Sequence, residues 1–146
     1  MPPRARNCGQ RCAGARLITG VPNDEQTVET LVRIDGTFAA DGNWAGVIAR
    51  YQDDSNLYYL SLRGSHQLTI RKVIGGVATE LAGISFNAQA GQYYYLRLEA
   101  VGDKLRGYVN GDLRLEATDD ALSAGRSGIA TSNTQASFAR FVSYQP

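Results

Sequence analysis

The stretch WAGVIARYQDDSNLYYLSLRGSHQLTIR, residues 44–71, constrains the fold more than any other part of this chain. Three runs in it alternate apolar and polar residues, and turn clusters separate them. A side-chain period of two marks strands with one face buried. The alternation is soft in the first run, where Val47, Ala49 and Tyr51 oppose Ile48 and Arg50. It is sharp in the second, where Leu57, Tyr59, Ser61 and Arg63 oppose Tyr58, Leu60 and Leu62. The polar members are Arg and Tyr rather than the Lys, Glu and Thr of an idle sheet surface. The same pairing recurs in Tyr95 and Arg97, and again in Arg106 and Tyr108. A sheet face rich in Arg and Tyr has the composition of a binding surface.

Turn chemistry divides the rest of the chain in the same way, and about ten strands are expected. They fall at residues 26–34, 44–51, 57–63, 66–73, 77–81, part of 82–90, 92–100, 105–110, 113–117, 125–131 and 136–144. Gly75-Gly76 is a strong hairpin signal, and Asn110-Gly111 turns the chain again. In residues 92–100, Tyr94, Leu96 and Leu98 are expected to face inward, with Tyr93, Tyr95, Arg97 and Glu99 outward. Helical periodicity is absent apart from one turn expected at residues 119–122. No repeat recurs at a fixed period, which argues against a propeller or solenoid. The expected fold is all-β, a two-sheet antiparallel sandwich of the jelly-roll kind.

At 146 residues the chain is one domain by size, long enough to bury a core. A net charge of +1 excludes a strongly basic nucleic-acid footprint. No apolar run approaches the roughly 20 residues of a membrane-spanning helix. Cys8 and Cys12 are the only cysteines. Without a nearby His or a third Cys they make a poor zinc site, and an incidental or loop-closing pair is expected. Residues 1–14 read as a flexible basic leader, and they lack the apolar core of a secretory signal. The β-sandwich domain is expected over residues 15–146.

Three segments in order, WAGVIARYQDDSNLYYLSLRG, YYYLRLEAVGDKLRGYVNGDL and GRSGIATSNTQASFARFVSY, resemble the concanavalin A-like (laminin G-like) jelly-roll modules. Such modules are appended to secreted bacterial polysaccharide-degrading enzymes, pectate lyases among them. The resemblance spans residues 15–144. It implies a non-catalytic carbohydrate-binding module, secreted, joined to a catalytic domain in a longer protein, with a polysaccharide or oligosaccharide as ligand. The chain departs from the family at its start, where MPPRARNCGQRC replaces a further strand.

Sugar binding needs flat apolar platforms for pyranose C–H faces and planar groups for hydroxyls and carboxylates. Tyr supplies a platform with a polar tip, and the Arg fork matches a carboxylate. Arg50, Tyr59, Arg63, Arg71, Tyr95, Arg97, Arg106 and Tyr108 are therefore the expected ligand-binding set, suited to a glycan containing uronic acids. Cross-strand pairing with Glu99 and the aspartates accounts for the same residues without a ligand. Trp44, the only tryptophan, is either a platform for a sugar ring or a core anchor. His66, the only histidine, has no Ser or Cys partner in a recognisable arrangement. Hydrolases of this class carry paired carboxylates on one strand in an E-x-D-x-E pattern, which does not occur here. A polysaccharide lyase or hydrolase domain and a protein-interaction or adhesion sandwich are the alternatives. No cofactor is expected except a structural calcium, with Asp35, Asp41, Asp53, Asp54, Asp119 and Asp120 as candidates. Turn chemistry explains those aspartates without a metal.

Overall fold

The computed structural model describes residues 15–145. The leader, with Cys8 and Cys12, lies outside the described residues. The described residues form strands β1 (Ala15–Asn23), β2 (Gln26–Ile34), β3 (Trp44–Asp53), β4 (Asn56–Arg63), β5 (Gln67–Ile74), β6 (Val77–Ser85), β7 (Tyr93–Val101), β8 (Lys104–Val109), β9 (Asp112–Thr118), β10 (Gly125–Ser132) and β11 (Ala136–Tyr144). One sheet has six strands in the order β1-β10-β3-β4-β5-β6. The other has five, β11-β2-β7-β8-β9. Every described pairing is antiparallel. The expected helical turn at residues 119–122 is irregular backbone. Asp119 there accepts from Tyr58, Lys72 and the Ala121 amide, so tertiary hydrogen bonds replace helical ones.

The alternation read from the sequence decides which side chains meet between the sheets. Val28, Val32 and Ile34 of β2 and Leu96 and Leu98 of β7 are fully buried, against Val47 of β3, Leu60 and Leu62 of β4 and Ile70 of β5. Each such side chain contributes about 1.5–3 kcal/mol on leaving water. The central strands β3 and β4 depart from half-burial, since every residue from Ala45 to Arg50 and from Leu57 to Arg63 is buried. In β4 the far-side residues Leu57 and Tyr59 join Ile48 and Ala130 in a second cluster, with Ile18, Trp44, Tyr51 and Val73 packed around it. The outer face of the six-stranded sheet thus carries an apolar layer of its own.

Two local departures from regular pairing matter for the site. At Ala49 and Arg50, β3 carries an extra residue relative to β10, and Arg50 has φ 49°. In β6, Arg71 pairs with Glu80 although Ile70 pairs with Ala82, so Leu81 is an extra residue. A bulge of this kind bends the strand and re-aims the side chains beside it.

Candidate functional site

The outer face of the six-stranded sheet is built from three cross-strand rows. The first runs Trp44, Arg63, Gln67. The second runs Gly46, Ser61, Thr69, Gly83. The third runs Ile48, Tyr59, Arg71, Glu80. Neighbouring strands lie about 4.8 Å apart, so each row is a ladder of adjacent side chains. The middle row is made of small residues between two rows of large ones. That relief lets the Arg63 side chain lie down across the sheet.

Arg63 is 2% exposed, and its guanidinium is held on all sides. Its Nε donates to Ser61 Oγ at 3.0 Å and Thr69 Oγ1 at 3.2 Å. Its Nη1 donates to the Asp41 carbonyl at 2.8 Å, and Nη2 to the Tyr59 hydroxyl at 2.9 Å. Burial lowers its pKa from the ordinary value, against the opposing pull of Tyr59 and Asp41. An arginine remains charged under such a shift. The result is a fixed cation at the floor of the face.

Aromatic rings form one wall. Trp44 stacks on Tyr59, with ring centroids 4.7 Å apart and planes 25° apart. Gly46 lies between their rows, so no side chain separates the rings. Arg63 sits 5.5 Å from the Trp44 centroid and 5.8 Å from that of Tyr59. Tyr59 is buried and Trp44 is half-buried, so Tyr59 backs the indole and Trp44 is the ring that solvent reaches. Trp44 therefore packs on the outer apolar cluster and keeps part of its ring exposed.

Carboxylates form the other wall. Asp41 comes from the connection between β2 and β3. Asn43 pins that loop by accepting from the Ala39 and Ala40 amides and donating to the Asn133 carbonyl. Gly64 lets the loop close on β4, since a Cβ there would stand 2.7 Å from Ala39 N and Ala40 O. The Asp41 carboxylate lies 3.5 Å from both Arg63 Nη1 and Arg71 Nη2. Glu80 reaches the same Arg71 Nη2 at 3.3 Å. Arg71 Nε is buried with no hydrogen-bond partner.

The expected single array of Arg and Tyr is distributed over three places. Trp44, Tyr59, Arg63 and Arg71 come together on the face just described. Arg50 does not join them. The bulge sends it to the end of the sandwich, 2% exposed, where it donates to the carbonyls of Asp24 and Leu122. A cavity of about 530 Å³ opens there beside Asp24, Glu25, Asp103 and Asp120, but Arg50 meets it with Nε and both terminal nitrogens already donating to backbone. Tyr95, Arg97, Arg106 and Tyr108 lie on the outer face of the five-stranded sheet, on the opposite side of the molecule. Their contacts are local. Arg97 stacks 3.9 Å from the Tyr108 centroid, Tyr108 donates to Glu99 and Arg106 to Glu116. That is the cross-strand pairing weighed beside a binding role.

Sequence reasoning missed Glu80 and Thr69, and it read Asp41 as a calcium candidate. Glu80 is hidden by the bulge, which breaks strict alternation in β6. Among the described residues no group of three or more His, Cys, Asp or Glu side chains could hold a metal ion. Asp53 accepts from Ser55 and Asn56 inside its turn, Asp54 from Tyr51 and Arg16, and Asp35 from Arg33 and Ser137.

No protein-family model matches the sequence, and no curated protein matches it. Solved structures with the same fold are numerous. A carbohydrate-binding module, CBM66, from Bacillus subtilis superposes with a TM-score of 0.85 at 19% identity, covering 97% of this chain and 86% of that one. A Bacillus subtilis protein of unknown function with a galectin-like fold gives 0.71 at 15% identity, covering 93% and 79%. The GH43 protein BlXynB from Bacillus licheniformis gives 0.67 at 16% identity, covering 91% of this chain and 33% of its own. At these identities the likeness establishes the fold: a two-sheet antiparallel β-sandwich shared with a carbohydrate-binding module and a galectin-like protein.

Proposed function

We propose that this chain is a non-catalytic carbohydrate-binding module whose ligand lies on the outer face of the six-stranded sheet. One observation carries the reading: a buried, fully held Arg63 guanidinium beside the Trp44–Tyr59 stack, with Arg71, Asp41 and Glu80 around it. An indole face suits the C–H side of a sugar ring. Guanidinium N–H groups donate to ring and hydroxyl oxygens, and carboxylates accept from hydroxyls. Such charge-assisted bonds are the strong ones.

The charge balance favours a neutral glycan. Arg63 and Arg71 stand against Asp41 and Glu80, and the fork of Arg63 is engaged by protein on every nitrogen. No free fork of Arg63 is left for bidentate capture of a uronate. Arg71, with its unpartnered Nε, is the feature that favours the uronic-acid glycan as a second reading. Catalysis has less support. Glycosidases place two carboxyl groups on either side of the scissile bond, whereas Asp41 and Glu80 converge on one guanidinium. Secretion and attachment to a catalytic domain belong to the same proposal. A fold match covering one third of a GH43 protein supports that attachment. Tethering would raise the local concentration of an enzyme at its polymer.

Affinity electrophoresis against levan, xylan, β-glucan, alginate and polygalacturonate, with and without EDTA, tests the reading. Retardation in a neutral gel is expected, unchanged by EDTA and lost in Trp44→Ala. Retardation only by acidic gels would favour the uronate reading. No retardation would move a protein-interaction role to first place.

A further inference from the structure

We infer that Gly83 is a positioning residue: it cradles the Glu80 carboxylate against Arg71, and this pair sets the face's preference for uncharged over anionic saccharides. The inference rests on the glycan-binding reading above. The bulge at Leu81 brings Glu80 opposite Arg71. By itself that fixes only the direction of the side chain. The Glu80 side chain is 45% exposed, and its contact with Arg71 Nη2 is long, at 3.3 Å. The position of its carboxylate follows from what is missing at Gly83. A Cβ at Gly83 would stand 2.8 Å from Glu80 Oε2 and 3.2 Å from its Cδ. The carboxylate therefore lies folded back over the space that any other residue at position 83 would fill, in the row of Ser61 and Thr69.

This placement determines the charge a ligand meets. Arg71 Nη2 has Asp41 at 3.5 Å and Glu80 at 3.3 Å, both long for ion pairs, while the buried Nε is unpartnered. Glu80 screens this guanidinium from an incoming anion and offers an acceptor to a hydroxyl. With Glu80 displaced, Arg71 keeps only its loose contact with Asp41 and becomes a cation open to a carboxylate. Gly83→Ala makes that change without altering the net charge. Its added methyl meets the far end of a flexible side chain rather than backbone, so the fold is left intact.

The test compares wild type, Gly83→Ala, Glu80→Gln and a control, Glu116→Gln, which neutralises a carboxylate on the opposite sheet. Dissociation constants for levan, xylan and polygalacturonate come from affinity gels, and melting temperatures report the fold. Gly83→Ala and Glu80→Gln are each expected to shift the ratio of acidic to neutral affinity about tenfold toward the acidic glycan, the scale of one charge-assisted bond. Glu116→Gln leaves the ratio unchanged, and the Arg71 Nε–H resonance of unliganded Gly83→Ala moves. An unchanged ratio in Gly83→Ala with wild-type melting overturns the cradle, and an unchanged ratio in Glu80→Gln overturns the screen. No retardation of wild type by any glycan overturns the binding reading and this inference with it. The Arg71 resonance then reports whether the cradle itself holds Glu80 in place.

Discussion

Arg63 combines two properties that a surface arginine does not. It is buried, and its planar fork is matched by side chains of two strands, β4 and β5, and one loop carbonyl. A lysine at this position would keep the charge and lose the fork, because an ammonium cannot address Ser61, Asp41 and Tyr59 from one plane. Arg63→Lys is therefore expected to weaken glycan retardation by about tenfold or more. It should also cost about 1–3 kcal/mol of stability in urea denaturation, since partners are left buried and unmatched. The stack beside it does not move with the charge, so indole fluorescence of the folded variant should stay near wild type. Equal retardation of wild type and Arg63→Lys on every neutral gel would remove Arg63 from the site.

Arg50 shows how an element overrides a pattern. Read along the strand, it alternates like a surface residue. The bulge in β3 turns it inward at the sandwich end, where Gly125 passes so close that a Cβ would stand 2.3 Å from the Arg50 carbonyl carbon. Gln26 completes the joint by accepting from the Arg50 amide at 2.8 Å. Here the guanidinium satisfies carbonyls of the loops flanking β2 and β10. Arg50→Lys is expected to lower stability by about 2 kcal/mol through those lost bonds while leaving glycan retardation as in wild type. The two arginines then separate cleanly in one pair of assays. Most strands were legible because turn residues and a period of two agree with each other, but β6 was read as two pieces divided after Leu81, where its bulge interrupts one continuous strand, Val77–Ser85. β1 was not legible, because Leu17 and Val21 are exposed, Gly20 has φ 80° and the register with β10 shifts. Sheet membership was equally hidden. β4 and β7 carry the same Tyr–Arg alternation, yet hydrogen bonding places them in different layers. Half of the expected binding set therefore ended on the far side of the molecule. Glu80 escaped notice for the reason Arg50 misled, since an extra residue in a strand inverts the parity on which face assignment rests.

At the scale of the whole molecule, the two sheets are joined by a polar clasp as well as by the core. Tyr58 of β4 donates to Asp119 at 2.6 Å, Lys72 of β5 donates to the same carboxylate at 2.9 Å, and Asp119 follows β9 of the other sheet. The Tyr58 hydroxyl in turn accepts from the Leu122 amide. Burial and the bond to Asp119 push the Tyr58 pKa up to about 12, so it stays a donor at any working pH. Burial alone would raise the Asp119 pKa, but the bonds from Tyr58, Lys72 and the Ala121 amide outweigh it and hold the carboxyl below its ordinary value. A folded-state pKa below the unfolded one gives stability that is present above the unfolded value and is lost as pH falls through the folded one. Wild type should therefore melt at progressively lower temperature as pH drops below about 4. Asp119→Asn should melt lower than wild type at pH 7, with a smaller further loss in acid, because the ionisable member of the clasp is gone. Thermal melts followed by circular dichroism at pH 7 and pH 3 measure both slopes. Parallel slopes for the two proteins would mean that other carboxylates carry the acid response. The clasp lies on the core side of β4 and the proposed glycan face on the other, with Tyr58 and Tyr59 pointing opposite ways from adjacent positions. Glycan retardation of folded Asp119→Asn at pH 7 should accordingly match wild type, and a loss there would mean that the two faces of β4 are mechanically coupled through the strand.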